Sequence, residues 1–177
     1  MNCSGNLLAY LDMSGCPDLA DLTCCKNQLI ELNISSNPAL INLNCPYNFL
    51  TKLEVSNCTK LADLTCFWNK LTELDVRNNA LLTLLDCHTN QLTELDASSN
   101  TTLANLECGN NQLTELNLID NMALEPLDCS DNHLAELLTN SYQGLRYVRV
   151  SPQTITLPLI KKRGCLDSGF ERAYSPG

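Results

Sequence analysis

One interval dominates the chain: cysteine, asparagine and leucine residues each recur every 21 positions. The cysteines that keep this interval are Cys3, Cys24, Cys45, Cys66, Cys87, Cys108 and Cys129. The asparagines, each three positions after a cysteine, are Asn6, Asn27, Asn48, Asn69, Asn90, Asn111 and Asn132. A fixed period of this kind is the signature of a repeat architecture, so the chain should fold as a stack of equal units.

Each unit contains two short segments in which apolar and polar residues alternate, such as residues 64–66 and 74–76. Alternation predicts strands with one buried face, and the asparagine, serine and glycine residues between them predict turns. A single unit cannot bury its leucines alone, so the units are expected to form a solenoid with a shared core. We expect residues 1–150 to form about seven turns, and residues 151–177 to form a degenerate cap and a loose tail.

The repeated pattern L-x-x-L-x-C-x-x-N-x-L, seen at residues 61–71, resembles the leucine-rich repeat. A unit this short, with cysteine at its sixth position, is similar to the cysteine-ladder repeats of internalin-type bacterial surface proteins. The resemblance implies a leucine-rich repeat solenoid of the α/β horseshoe class, mostly β, with a parallel sheet on the concave face. Because the second segment also alternates, we expect a strand-like or irregular convex side with little helix.

The cysteine and asparagine ladders are interpreted as structural. A free cysteine behaves as a small hydrophobic residue, and neighbouring parallel strands would aim these thiols the same way, which suits a disulfide poorly. The paired C-x-x-C spacing of zinc sites is absent, so no metal site is predicted. Inward asparagine side chains can satisfy backbone groups at turns that no strand satisfies.

The chain's only tryptophan, Trp68, follows Phe67 at two positions that vary from unit to unit. Tyr47 occupies the position of Trp68 one unit earlier, and His88 occupies the position of Phe67 one unit later. Stacking of the units should therefore bring these four residues together. Two interpretations are open: an interaction site, since exposed aromatic residues favour interfaces, or rings that cover the loop edge.

Acidic residues form two further columns. Asp86, Glu107 and Asp128 follow one another on three units, as either a solvated acidic face or a site for a basic partner or a cation. The second column is regular enough to be repeat consensus: Glu73, Glu94, Glu115 and Glu136, with Asp75 and Asp96 nearby. Neither column implies a cofactor.

Charge and motifs narrow the functional classes. A net charge of −9 argues against non-specific binding to nucleic acid or to anionic membranes. No apolar stretch approaches the roughly 20 residues of a membrane helix, so membrane insertion is not expected, and no signal peptide is visible. No nucleophile motif or phosphate loop accompanies the two histidines, so no enzyme is predicted.

The leading hypothesis is a non-enzymatic binding module that recognises a protein or a glycan through Tyr47, Phe67, Trp68 and His88, with Asp86, Glu107 and Asp128 alongside. The resemblance implies an adhesin-like protein at the cell surface or secreted. A structural spacer within a larger repeat protein, and the substrate-recognition domain of an intracellular effector, are the alternatives. The apolar N-terminal end carries no cap, so end-to-end association is also expected.

Overall fold

The computed structural model describes residues 1–140, 145–150 and 160–163 of the 177-residue chain. Within these residues the strands are β1 (Tyr10–Asp12), β2 (Asp21–Thr23), β3 (Glu31–Asn33), β4 (Asn42–Asn44), β5 (Asp63–Thr65), β6 (Leu84–Asp86), β7 (Asn105–Glu107), β8 (Glu115–Asn117), β9 (Pro126–Asp128), β10 (Glu136–Asn140), β11 (Tyr147–Arg149) and β12 (Ile160–Arg163). No helix occurs in the described part of the chain, so none there could cross a membrane. The prediction of little helix is confirmed.

The first segment of each unit builds the main sheet. It has seven parallel strands in the order β11-β9-β7-β6-β5-β4-β2, so each turn of the solenoid adds one strand. The register is the 21-residue step of the sequence: Leu43 pairs with Leu64, and Leu64 pairs with Leu85. These central leucines are 0–1% exposed, while the residues on either side of each leucine face outward or are half-buried.

The second segment is less regular. It forms a two-stranded sheet, β1-β3, near one end and a three-stranded sheet, β8-β10-β12, near the other. On the turns between them, residues 52–54, 73–75 and 94–96 form no strand. The prediction of a strand-like or irregular second side is therefore confirmed, because this side forms strands near both ends of the solenoid and is irregular between them. β12 lies in the segment expected to be cap and tail; the rest of that segment, residues 151–159 and 164–177, lies outside the described residues.

The cysteine ladder lies in the core. From Cys24 to Cys129 its members are 0–2% exposed, whereas Cys3 on the first turn is half-buried. All of them are free thiols, which agrees with the structural interpretation. Burial raises the pKa of Cys24 to about 12 and raises the pKa values of Cys45 and Cys66 well above the ordinary thiol value.

These pKa shifts predict selective thiol labelling. A thiol reacts as its thiolate, so at pH 8 the neutral, enclosed thiols of Cys45 and Cys66 should be inert in the folded protein. Cys16, which is exposed, should be alkylated by iodoacetamide within minutes. Mass spectrometry of the labelled peptides would measure this, with urea-unfolded protein as the control in which all these thiols react. Equal labelling rates at Cys66 and Cys16 in the folded state would contradict the buried ladder.

The asparagine ladder closes the turn after each main strand. Asn69 Nδ2 donates to the carbonyl oxygen of Cys66 in its own turn (3.0 Å) and to that of Cys45 in the preceding turn (3.2 Å). Its Oδ1 accepts the backbone N–H of Leu50 at 3.0 Å. One buried amide therefore satisfies backbone groups on two turns that no strand pairs, as the sequence pattern predicted.

A second asparagine ladder closes the other side of the solenoid. Asn79 Nδ2, for example, donates to the carbonyl oxygens of Val55 (3.0 Å) and Cys58 (2.8 Å) on the preceding turn. Cys58 occupies the asparagine position of that preceding turn, and it is fully buried. The two ladders together bond the turns on both sides of the solenoid, in the described units that carry both asparagines.

Candidate functional site

The edge of the main sheet where the chain leaves each strand carries an unusual backbone conformation. We call the residues that follow the ladder cysteines there, at 25–26, 46–47, 67–68, 88–89, 109–110 and 130–131, the loop edge. The second residue of each pair has a φ between 52° and 55°: Lys26, Tyr47, Trp68, Thr89, Asn110 and Asp131. Left-handed backbone of this kind suits asparagine and aspartate, and it costs other residues with a Cβ about 1–2 kcal/mol.

Two of these positions hold large aromatic residues. Tyr47 and Trp68 are 43% and 52% exposed, and neither lies in the core. A large ring in this conformation is strained locally without gaining full burial. The same conformation occurs at all six positions, so the turn maintains it, and what distinguishes Tyr47 and Trp68 is the exposed aromatic ring that each carries there.

The loop edge brings the four predicted aromatic residues together, and we call Tyr47, Phe67, Trp68 and His88 the aromatic cluster. The Tyr47 ring lies edge-on to Phe67 (5.2 Å between centroids) and stacks on Trp68 (5.9 Å). Phe67 stacks on His88 at 4.5 Å with an interplanar angle of 15°. Phe67 is half-buried, whereas Tyr47 and Trp68 are exposed. Contacts of this type contribute about 0.5–1.5 kcal/mol each beyond the area they bury.

Hydrogen bonds of the ladder hold the cluster in place. Asn69 Nδ2 donates to the carbonyl oxygen of Phe67 (3.4 Å), and Asn90 Nδ2 donates to that of His88 (3.4 Å). The backbone N–H of Tyr47 donates to the Phe67 carbonyl, and that of Trp68 donates to the His88 carbonyl, both at 3.2 Å. The rings therefore project from a backbone that is bonded from turn to turn.

Charged residues border the cluster on both sides. Lys26 Nζ lies 5.9 Å from the centre of the Tyr47 ring, a cation–π contact that the sequence pattern did not predict. On the other side, His88 Nδ1 lies 2.6 Å from Asp86 Oδ1, and the Glu107 carboxylate lies close to both side chains. Burial, followed by the negative charge of Asp86, raises the pKa of Glu107.

The three acidic residues of this column are not equivalent. Asp128 accepts a hydrogen bond from Ser130 Oγ (2.6 Å) and lies 3.4 Å from an Arg149 guanidinium nitrogen. Among the described residues no lysine or arginine pairs with Asp86 or Glu107, and Asp86 contacts the His88 ring instead. The predicted column of three therefore divides into a compensated Asp128 and an Asp86–His88–Glu107 group.

The second acidic column lines a shallow groove on the opposite side of the solenoid. The groove runs along the turns that lack strands in the second segment and continues along β8 and β10, and its wall includes Glu73, Glu94, Glu115 and Glu136 with Asp75 and Asp96. The Arg77 guanidinium makes two hydrogen bonds to Asp75 and holds the pKa of that carboxyl at about 2, and Lys52 lies 3.6 Å from Glu73. This side carries no aromatic group among the residues that line the groove, and its charges are partly paired.

The strain at Trp68 predicts a difference between two substitutions. Trp68→Asn and Trp68→Ala both remove the ring and its stack on Tyr47, but asparagine tolerates the left-handed conformation better than alanine does. We expect Trp68→Asn to be more stable than Trp68→Ala by about 1 kcal/mol in urea unfolding. The same pair of changes at Phe67, where no positive φ occurs, should lack this asparagine advantage. Equal stability of the two Trp68 variants would show that the backbone there carries no strain.

Comparison with known proteins adds to this geometry. No protein-family model matches the sequence, and no curated protein is similar to it. The functional domain of InlJ from Listeria monocytogenes, a solved structure described as including a cysteine ladder, is 31% identical over 85% of this chain with a TM-score of 0.66. A leucine-rich repeat protein from Leptospira interrogans superimposes over 85% of this chain with a TM-score of 0.72 at 21% identity. The chain is a leucine-rich repeat protein.

An internalin from Listeria monocytogenes, InlF, shares the fold at 24% identity over 88% of this chain, with a TM-score of 0.71. The leucine-rich repeat chain spans 43%, 48% and 50% of the InlJ, Leptospira and InlF structures. The resemblance to cysteine-ladder, internalin-type repeats is thus confirmed for the fold.

Proposed function

We propose that this leucine-rich repeat chain is a non-enzymatic module that binds a protein partner through the aromatic cluster. The observation that carries the proposal is the pair Tyr47 and Trp68, which are about half exposed although their backbone conformation disfavours large side chains. Aromatic residues of this type are the commonest sources of binding energy at protein interfaces. A location at the cell surface or outside the cell is part of the proposal, on the resemblance to internalins.

The arrangement of the rings favours a protein over a glycan. A sugar packs against the open face of an aromatic ring, but here Tyr47 and Trp68 stack on each other, and Phe67 stacks on His88. The cluster therefore presents edges and half-covered faces of several orientations, with Lys26 at one border and Asp86 at the other. An apolar centre with charges of both signs around it is typical of protein interfaces.

The scaffold favours binding with little loss of conformational freedom. Backbone hydrogen bonds join the cluster-bearing turns, and the asparagine ladder anchors each turn to the one before it. An interface that is ordered before binding gives up less entropy when the partner docks. Aromatic side chains also have few rotatable bonds, which lowers this cost further.

Site-specific cross-linking tests the proposal even though the partner is unidentified. The photoreactive residue benzoyl-phenylalanine would replace Tyr47 in the organism that produces the protein, and Tyr147 would be replaced in a parallel control. The two tyrosines are 43% and 44% exposed, and both lie on the main-sheet side. We expect a protein adduct from position 47 and none of the same mass from position 147.

Three other outcomes would reject the proposal. Identical adducts from both positions would indicate non-specific contact. The absence of any adduct from position 47 would favour a structural spacer. A glycan adduct in place of a protein adduct would show that the wrong class of partner was chosen. An adduct protein that is captured should afterwards bind the purified chain in solution.

A further inference from the structure

A group of three potential metal ligands lies beside the aromatic cluster. Asp86, His88 and Glu107 each contribute one carboxylate oxygen or ring nitrogen, and these atoms lie within 4.8 Å of one another. Asp86 and His88 belong to one turn, and Glu107 lies on the next strand of the main sheet. All three side chains are half-buried, so their donor atoms converge near the surface with part of their hydration removed.

The His88 ring is held in one orientation from two sides. Phe67 stacks against its face with 4.5 Å between the ring centroids, and Nδ1 is hydrogen-bonded to Asp86 Oδ1 at 2.6 Å. An ion could take the place of the proton in this contact, so that Nδ1 and an Asp86 carboxylate oxygen would both bind it. A histidine already fixed in orientation loses little freedom on binding.

The negative charges of Asp86 and Glu107 are not matched by an equal positive charge nearby. Asp86 and Glu107 pair in register on adjacent strands, and among the described residues no lysine or arginine forms a salt bridge with either carboxylate. Arg149, the nearby cation, pairs with Asp128 and not with Glu107. Two carboxylates this close repel each other, and the repulsion grows as burial removes the screening water. One dication would remove this repulsion and neutralise both carboxylates.

The neighbouring position on the loop edge carries no side chain. Gly109 follows His88 in its column, so the turn beyond the imidazole contributes no side chain there. A Cβ at this position would lie 3.1 Å from Asp128 Oδ1 and 3.2 Å from the Ser130 carbonyl oxygen, which is closer than ordinary contact. Asp128 and Ser130 already fill the space that a side chain would need, so glycine fits here and adds no ligand of its own.

We propose that Asp86, His88 and Glu107 bind one divalent transition-metal ion, with water filling the remaining positions. Imidazole nitrogen together with carboxylate oxygen is a donor set that suits zinc and its neighbours. Calcium is a poorer fit, because it takes six to eight oxygen ligands. The sequence analysis left a cation open for the column of Asp86, Glu107 and Asp128, but it did not place His88 in such a site, since the three residues proposed here come from two columns and follow no ligand-spacing motif. The proposal does not depend on the aromatic cluster having a partner.

The test is a titration of the full chain with ZnCl2, followed by NMR spectroscopy of the histidine rings. The chain has only two histidines, so His133 on another turn is an internal control. We expect a shift of the His88 ring resonances that saturates at one zinc per chain, with those of His133 unchanged. Isothermal titration calorimetry of the same samples gives the affinity and the stoichiometry.

Four variants separate this site from adventitious binding. His88→Gln and Glu107→Gln should each weaken zinc binding at least about tenfold, because each removes one ligand of the proposed set. Glu115→Gln, on the opposite side of the solenoid, should not change the affinity. Cys25→Ser, which removes a half-buried thiol of the loop edge, should also leave it unchanged. Thermal unfolding without metal verifies that every variant is folded.

Several results would overturn the proposal. These are no saturable shift of the His88 resonances, undiminished affinity in His88→Gln, or loss of binding in Cys25→Ser. The titration contains no partner protein, so its failure would leave the proposed binding function standing, and a failed cross-linking experiment would leave this site standing.

Discussion

Asn111→Ala is expected to lower the free energy of unfolding by about 3 kcal/mol, because it removes a buried amide that bonds two turns of the solenoid. Asn111 is 6% exposed, and its Nδ2 donates to the carbonyl oxygens of Cys87 (3.1 Å) and Cys108 (3.0 Å). Its Oδ1 accepts the backbone N–H of Leu92 at 3.0 Å. Alanine leaves these buried backbone groups unsatisfied, and each such group costs about 1–3 kcal/mol. Urea unfolding followed by circular dichroism would measure the change.

Asn78→Ala is the matched control for this prediction. Asn78 is an exposed asparagine of the same solenoid, and its Nδ2 makes a weaker, solvent-accessible bond of 3.4 Å to the Ser56 carbonyl oxygen. We expect its replacement to change the free energy of unfolding by less than about 0.5 kcal/mol. If Asn111→Ala were no more destabilising than Asn78→Ala, the asparagine ladder would not carry the structural role assigned to it.

Trp68→Asn is expected to weaken binding of the protein captured by cross-linking by about 30-fold or more. The loss of a central aromatic residue from an interface typically costs about 2 kcal/mol or more, and about 1.4 kcal/mol corresponds to a factor of ten. Asparagine is chosen because it suits the positive φ of this position, so the variant should stay folded. Surface plasmon resonance with the immobilised chain would give the dissociation constants.

Tyr47→Asn should weaken the same interaction to a similar degree, because Tyr47 supports the Trp68 ring at 5.9 Å and is itself exposed. Tyr147→Ala is the control for a general loss of surface aromatic area. The affinity of this variant for the captured protein should equal that of the wild type within a factor of about two. An unchanged affinity of Trp68→Asn, with the fold intact, would remove Trp68 from the interface.

The repeating part of the fold could be predicted from the sequence because it depends on which residue type occupies each position of the unit. Leucine at the centre of each main strand and cysteine two residues later determine which side chains face the core. Once that register is fixed, neighbouring units must place Tyr47 near Trp68 and Phe67 near His88. The ring contacts followed from the 21-residue period and the spacing of parallel strands.

The remaining features depend on geometry that no residue pattern states. The left-handed conformation of Tyr47 and Trp68 is set by the turn, and only Asn110 and Asp131 in equivalent positions hint at it. The interruption of strands on the second side is equally hidden, because its segments alternate in every unit. The convergence of His88 and Glu107 depends on how the side chains of two neighbouring turns are rotated, which the sequence pattern does not show.

The emission of Trp68 tests the central claim most directly, because it is the only tryptophan in the chain and is 52% exposed. With a tryptophan-free variant of the captured partner, binding should shift this emission to shorter wavelength and protect it from quenching by acrylamide, as the ring leaves water. The shift should saturate at the dissociation constant measured independently. An unchanged spectrum and unchanged quenching in the fully bound complex would contradict a docking site centred on the aromatic cluster.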